Sequence, residues 1–178
     1  MLLPVKLVQS ITTQTQALHP QVVAWRRHLH RHAELSFKEF DTADFLEKEL
    51  RTIHGLTVER PTATSLVATL RGGQPGQVLA IRADTDALPI QDQKTCDYAS
   101  SRPGAMHACG HDGHTAMLLA AAKFLAESGD FNGTLNLIFQ PAEEGGGGAL
   151  RMMDDGLFER FPCDAVFAMH NMPGIEQG

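Results

Sequence analysis

Residues 106–114 read Met-His-Ala-Cys-Gly-His-Asp-Gly-His and gather one thiol, three imidazoles and a carboxylate in a single short stretch. Carboxylate, imidazole and thiolate together are the ligand set of a divalent transition-metal site. Cys109 stands two residues from His111 with glycine beside both, which lets the backbone approach a bound ion closely, so it reads as a ligand. Cys96 and Cys163 have no such company and read as small buried hydrophobes. A second concentration is the pair Glu143-Glu144, set between an apolar run and the four glycines at 145–148. Acidic pairs are usually solvated, but this one sits where the chain can turn tightly around a ligand. A phosphate cradle is excluded there, because the flanks are acidic and no Gly-Lys-Ser/Thr follows. Asp84, Asp86 and His170 complete the candidates, and His170 gains its weight from the others. His28, His30 and His32 do not join them. On a helix only His28 and His32 share a face, and Arg26, Arg27 and Arg31 repel cations, so the three read as surface or helix-packing residues.

These groups need elements that bring them to one edge. Pro20 suits the first turn of a helix over 20–33, and Ser36 with Glu39 three positions on forms a capping box that opens a helix over 36–53. Phe37, Phe40, Leu46 and Leu50 are expected on its inner side. Residues 65–70 and 78–83 are β-prone and separated by Gly72-Gly73 and Pro75-Gly76, which predicts two strands joined by a turn. A helix over 115–127 is apolar nearly all round, hence buried, and strands over 134–139 and 165–169 flank a short helix over 149–153. This alternation predicts an α/β fold with a mixed, mostly parallel sheet flanked by helices. Open α/β sheets bind ligands beyond the carboxyl ends of their strands. Asp84 and Asp86, Glu143 and Glu144, and His170 all follow predicted strands, while the cysteine-histidine block precedes the buried helix.

Composition narrows the partners. With 178 residues, 43% hydrophobic, the chain can bury one ordinary core. Fifteen Lys+Arg against 21 Asp+Glu give a formal charge of −6, the wrong sign for nucleic acid or an anionic membrane. No apolar run approaches the roughly 18 residues of a membrane span. Met1-Leu2-Leu3 lacks a basic lead and a small-residue cleavage site, and three widely spaced cysteines suit a reducing compartment, so a cytoplasmic location is expected.

Five blocks in order carry a family resemblance. They are Arg26-Arg27-His28-Leu29-His30 with Glu34-Leu35-Ser36, the run from Arg82 through Asp84-Thr85-Asp86 to Ile90, the run from Met106 to Thr115, the run from Phe139 through Glu143-Glu144 to Ala149, and Asp155-Gly156-Leu157-Phe158. Together they resemble the hippurate hydrolase and auxin-conjugate hydrolase branch of the di-metal aminoacylase and carboxypeptidase group. Ala33, where that family usually has proline, is a departure that touches no chemistry. The resemblance implies hydrolysis of N-acyl amino acids by two divalent ions (Zn, Mn, Ni or Co) per complete subunit. It implies Cys109 as the bridging ligand, His111 and His170 as further ligands of one ion, Glu144 as a ligand of the second, Glu143 as general base and Asp84 as an orienting carboxylate. It also implies that residues 1–178 are the first part of a catalytic domain, without the lid through which such enzymes self-associate or the returning segment that supplies a last histidine. On that ligand count one ion is expected to bind tightly here. Two other readings remain: a metal-holding piece without turnover, and a thiol hydrolase using Cys109 and His111, which leaves Glu143-Glu144 without a role.

Overall fold

The computed structural model of the chain describes residues 5–176, and Met1, Leu2 and Leu3, read above for a leader, lie outside them. The elements in chain order are α1 (Val5–Arg31), α2 (Phe40–Arg51), β1 (Leu56–Glu59), β2 (Leu66–Arg71), β3 (Val78–Asp84), α3 (His111–Ser128), β4 (Thr134–Gln140), α4 (Gly148–Asp154), α5 (Leu157–Arg160) and β5 (Ala165–Ala168). The five strands form one sheet in the order β1-β2-β4-β3-β5. β3 pairs parallel with both β4 and β5, whereas β1 with β2 and β2 with β4 are antiparallel, so the sheet is mixed.

Strand alternation divides the core between two faces. Leu66, Ala68, Leu137 and Phe139 pack against Trp25 and Leu29 of α1, Leu46 and Leu50 of α2, and Leu118, Leu119 and Ala122 of α3. Val67, Ala80 and Ile138 point the other way, onto Met152, Leu157 and Phe161. Burying a side chain of this kind contributes about 1.5–3 kcal/mol, so the leucine-rich layer under α1 to α3 dominates. Among the described residues no helix is long and apolar enough to cross a membrane.

Several expectations change. Residues 65–70 and 78–83 are strands, but they do not form a hairpin, because β4 inserts between them. The glycine-rich connection bonds elsewhere: Gly72 and Gly73 donate to Gly133 and Phe131, and Gly133 donates back to Gln74. Pro20 lies inside α1 and does not start it. Residues 8–20 carry no buried side chain, and the packed part of the helix begins near Trp25. The capping box is not formed either. α2 starts at Phe40, and its first free N–H groups, those of Asp41 and Thr42, are taken by the carboxylate of Glu34 (3.2 and 2.8 Å). Phe37 and Phe40 are exposed, while Leu46 and Leu50 carry the buried side. β1 was not foreseen, being four residues with only Val58 buried. β5 is an exposed edge, with Val166 and Phe167 about half accessible.

Candidate metal centre

Because β3, β4 and β5 run parallel, their carboxyl ends open on one edge, and α3 starts beside it. α3 begins at His111, four residues before the apolar run suggested, with Gly110 as its cap at φ 96°. A side chain at Gly110 would meet Asn171 Oδ1 at 2.3 Å, so the approach of the 109–111 turn to the chain after β5 requires glycine. Ligand-capable atoms of Cys109, His111 and Glu144 lie within 4.8 Å of one another, as do those of Asp84, His111, His114 and His170. Cys109 Sγ is 3.4 Å from His170 Nε2, which joins the two groups. The six residues expected at the site, Asp84, Cys109, His111, Glu143, Glu144 and His170, are thus brought together.

Outer hydrogen bonds fix the histidine tautomers. His111 donates from Nδ1 to the Asp86 carbonyl (2.9 Å) and stands 3.2 Å from Asp86 Oδ1, leaving Nε2 bare. His170 donates from Nδ1 to the Asn171 carbonyl (2.7 Å), so its Nε2 faces Cys109 with a lone pair. Asp84 takes the Nδ1 proton of His114 (2.6 Å) and a bond from Arg82 (3.0 Å). The carboxylate that orients His111 is therefore Asp86. It also accepts from Ser36 Oγ (2.7 Å) and from the Glu144 N–H (3.1 Å).

Charge at this edge calls for a cation. His111 Nε2 and Glu144 Oε1 are both buried without a hydrogen-bond partner among the described residues and stand 3.7 Å apart. Asp84 Oδ2 and Glu143 Oε2 approach the same nitrogen at 3.7 and 3.8 Å. His111 Nε2 and Glu144 Oε1, two acceptors converging with no donor between them, are costly when buried, and a divalent ion would satisfy both. Burial pushes the Cys109 thiol up to about 11, helped by Glu144, Glu143 and Asp84. A bound cation inverts that order and deprotonates the sulfur. Burial raises Asp86 too, yet the bonds from His111, Ser36, Glu144 and Glu143 outweigh it and hold its carboxyl at about 2.

Behind this layer, Glu39 is fully buried, and burial pushes its carboxyl from 4.5 to about 7 against the N–H groups of Glu39, Ala142 and Phe37, with Asp86 adding repulsion. A carboxyl raised in the folded state binds its proton more tightly there than in the unfolded chain. Its stabilising share is complete below about pH 4.5 and is lost as pH rises through about 7. Glu39→Gln, which cannot ionise, should melt level with the wild type near pH 4.5 and at least about 3 °C higher at pH 8. Thermal denaturation across that range checks it, and a wild-type advantage that grows with pH refutes it.

Sequence reasoning missed Asp86 as orienter and His114, Ser36 and Glu39 as participants. His114 was findable once α3 starts at His111, since residues three apart share a helix face. His30 was misplaced as a surface or packing residue. It is buried, with Nδ1 2.8 Å from Asp112 Oδ2 and Nε2 3.3 Å from Asp92 Oδ2. Arg26 turns to the same Asp112 at 3.1 Å. His28 does pack on the second helix, its ring 4.1 Å from that of Phe45. His107 is buried with neither ring nitrogen partnered among the described residues, and burial lowers it to about 4.

The sequence pattern of peptidase family M20/M25/M40 matches residues 80–178, which contain every candidate ligand above. The chain belongs to this family. Among curated M20 relatives, an N-acyl-L-amino acid amidohydrolase of Geobacillus stearothermophilus is 50% identical over 159 residues, covering 88% of this chain and 42% of that protein. A hippurate hydrolase of Campylobacter jejuni is 49% identical over 148 residues, covering 83% of this chain and 38% of its own length. A solved M20 structure, the Bacillus subtilis YXEP protein described as a dinuclear metal binding peptidase, superposes with a TM-score of 0.83 at 40% identity, covering 89% of this chain and 45% of that one. The chain thus spans about two fifths of the length of the curated relatives it matches.

Proposed function

We propose that this M20 chain carries the metal centre of an enzyme that hydrolyses the amide bond of N-acyl amino acids, releasing a carboxylic acid and a free amino acid. The observation that carries the reading is the pair of buried, partnerless atoms, His111 Nε2 and Glu144 Oε1, with Cys109 beside them and a more exposed Glu143 at the rim. Cys109, His111, Glu144 and His170 are assigned as the residues that would hold divalent ions, with Cys109 placed beside all the others. Bound there, such ions supply Lewis acidity to the amide carbonyl and to water.

The remaining chemistry belongs to side chains. Glu143 is 39% exposed against 20% for Glu144, so it faces the substrate side while its neighbour turns inward. Glu143 removes a proton from the attacking water as the carbon–oxygen bond forms, and delivers it to the nitrogen as the carbon–nitrogen bond breaks. Asp86 keeps His111 in the tautomer that offers Nε2, and Asp84, held by Arg82 and His114, supplies negative charge beside it.

The activities for which the relatives are named support the substrate class, N-acyl amino acids including hippurate-like ones. We read residues 1–178 as the first part of the catalytic domain, with self-association a property of the lid that the longer relatives' resemblance implies. Three unpaired cysteines, Cys96, Cys109 and Cys163, support a cytoplasmic setting. A metal-holding piece without turnover is favoured in one respect: Glu144 and Cys109 alone would hold the second ion weakly.

Metal analysis after dialysis should therefore find about one tight ion per chain. Two tight ions would overturn the ligand assignment. Assay of the chain beside a fusion to the remaining part of the Geobacillus relative, on a panel of N-acyl amino acids, tests the activity. Hydrolysis that resists chelators and yields to thiol alkylation would favour the thiol hydrolase instead.

A further inference from the structure

The loop after β4 is tightly coiled. Ala142 has φ 53°, left-handed for a residue with a side chain, and its carbonyl accepts from the Gly148 N–H at 3.0 Å. A side chain at Gly148 would lie 1.7 Å from the Pro141 carbonyl oxygen, so the coil closes on itself with no room to relax. A non-glycine residue in this conformation is strained and persists only where its surroundings hold it. Glu143 and Glu144 follow immediately, so the torsions of Ala142 set where both carboxylates point.

What holds Ala142 comes from 103 positions away in sequence: its N–H donates to Glu39 Oε1 at 2.8 Å. Glu39 is fully buried, and among the described residues it forms no ion pair and its Oε2 has no hydrogen-bond partner. Packing alone would be better served by an apolar side chain, since a buried carboxyl with an orphan oxygen costs stability. The same stretch grips the loop a second time, because Ser36 Oγ bonds Asp86, and Asp86 accepts the Glu144 N–H.

We propose that Glu39 is a positioning residue of the metal centre, whose buried carboxyl pins the Ala142 N–H and thereby aims Glu143 and Glu144. The inference rests on the metal reading above and deepens it. Gln at this position keeps an acceptor for Ala142, whereas Asp is one methylene too short to reach it and Ala offers none. Partners of this outer kind are worth about 10–100-fold in metal affinity.

The test is a Co²⁺ titration of the chain, read by the thiolate-to-cobalt and ligand-field absorption bands, for wild type, Glu39→Gln, Glu39→Asp, Glu39→Ala and Cys109→Ser. Glu39→Gln should bind within about threefold of wild type with the same bands, while Glu39→Asp and Glu39→Ala should lose about 10-fold or more and show shifted ligand-field bands. A purely structural role would leave affinity and bands unchanged in all three whatever their melting temperatures, which would overturn the proposal. Should Glu39→Ala not fold, the contrast between Gln and Asp decides alone. Wild-type binding that Cys109→Ser does not weaken would overturn the metal reading and this inference with it. Equal binding by wild type and Glu39→Asp would overturn the inference only.

Discussion

Glu143→Gln, in the chain fused to the remaining part of the Geobacillus relative, should lower kcat for N-acyl amino acid hydrolysis by about 10²-fold or more, with metal content at the wild-type level. Gln keeps the shape and hydrogen bonding of the side chain and removes only its ability to take a proton. Glu143 lies at the rim, 3.8 Å from His111 Nε2, while Glu144 is the residue whose Oε1 is buried and partnerless. Glu144→Gln should accordingly act in the other order, weakening one ion first, with lost activity partly restored by added Mn²⁺ or Zn²⁺. Metal content and kcat with and without excess metal separate the two variants. Metal loss in Glu143→Gln with full occupancy in Glu144→Gln would mean that base and ligand are reversed. The Glu144 N–H bond to Asp86 argues against that exchange, since it fixes the rotation of the turn.

The candidate residues that the fold gathers at one edge were legible because their types are rare in company. A thiol, imidazoles and adjacent carboxylates gathered at strand ends have few other uses, and the strands over 78–83 and 134–139 are marked by short, mostly apolar runs that include the β-branched Val78, Ile81, Thr134 and Ile138. Sheet order was not legible. Gly72-Gly73 and Pro75-Gly76 announce a turn, but whether the flanking strands pair depends on β4, fifty residues on, whose two neighbours both run beside it. The outer layer was hidden for a different reason. Ser36 and Glu39 satisfy a local helix-capping pattern perfectly well, and only the tertiary fold shows that Glu34 caps α2 while Ser36 and Glu39 turn to Asp86 and Ala142. His30 was likewise judged by its arginine neighbours along the chain, whereas its environment is set by Asp112 and Asp92 from other segments. Local patterns identify what a residue can do, and non-local partners decide which of those things it does.

Cys109→Ala should strip the chain of its tight ion on dialysis, a loss larger than the 10–100-fold expected for an outer partner. The sulfur stands at the junction of the two groups of candidate ligands, 3.4 Å from His170 Nε2 and within 4.8 Å of His111 and Glu144, so on the proposed assignment its removal would weaken the whole centre. Its thiol, pushed up to about 11 by burial and by the surrounding carboxylates, is an unreactive group in the metal-free chain. A metal-free sample should therefore react slowly with alkylating reagents at pH 7, which is the reverse of what a thiol nucleophile requires. Cys109→Asp supplies an anion with two oxygens to share and should recover part of the metal binding that Cys109→Ala loses, while Cys109→Ser, a neutral hydroxyl, should not. Metal retention after dialysis across the three variants ranks them. Full retention by Cys109→Ala would place the ion on Asp84, His111, His114 and His170 alone, and would remove the sulfur from the centre altogether.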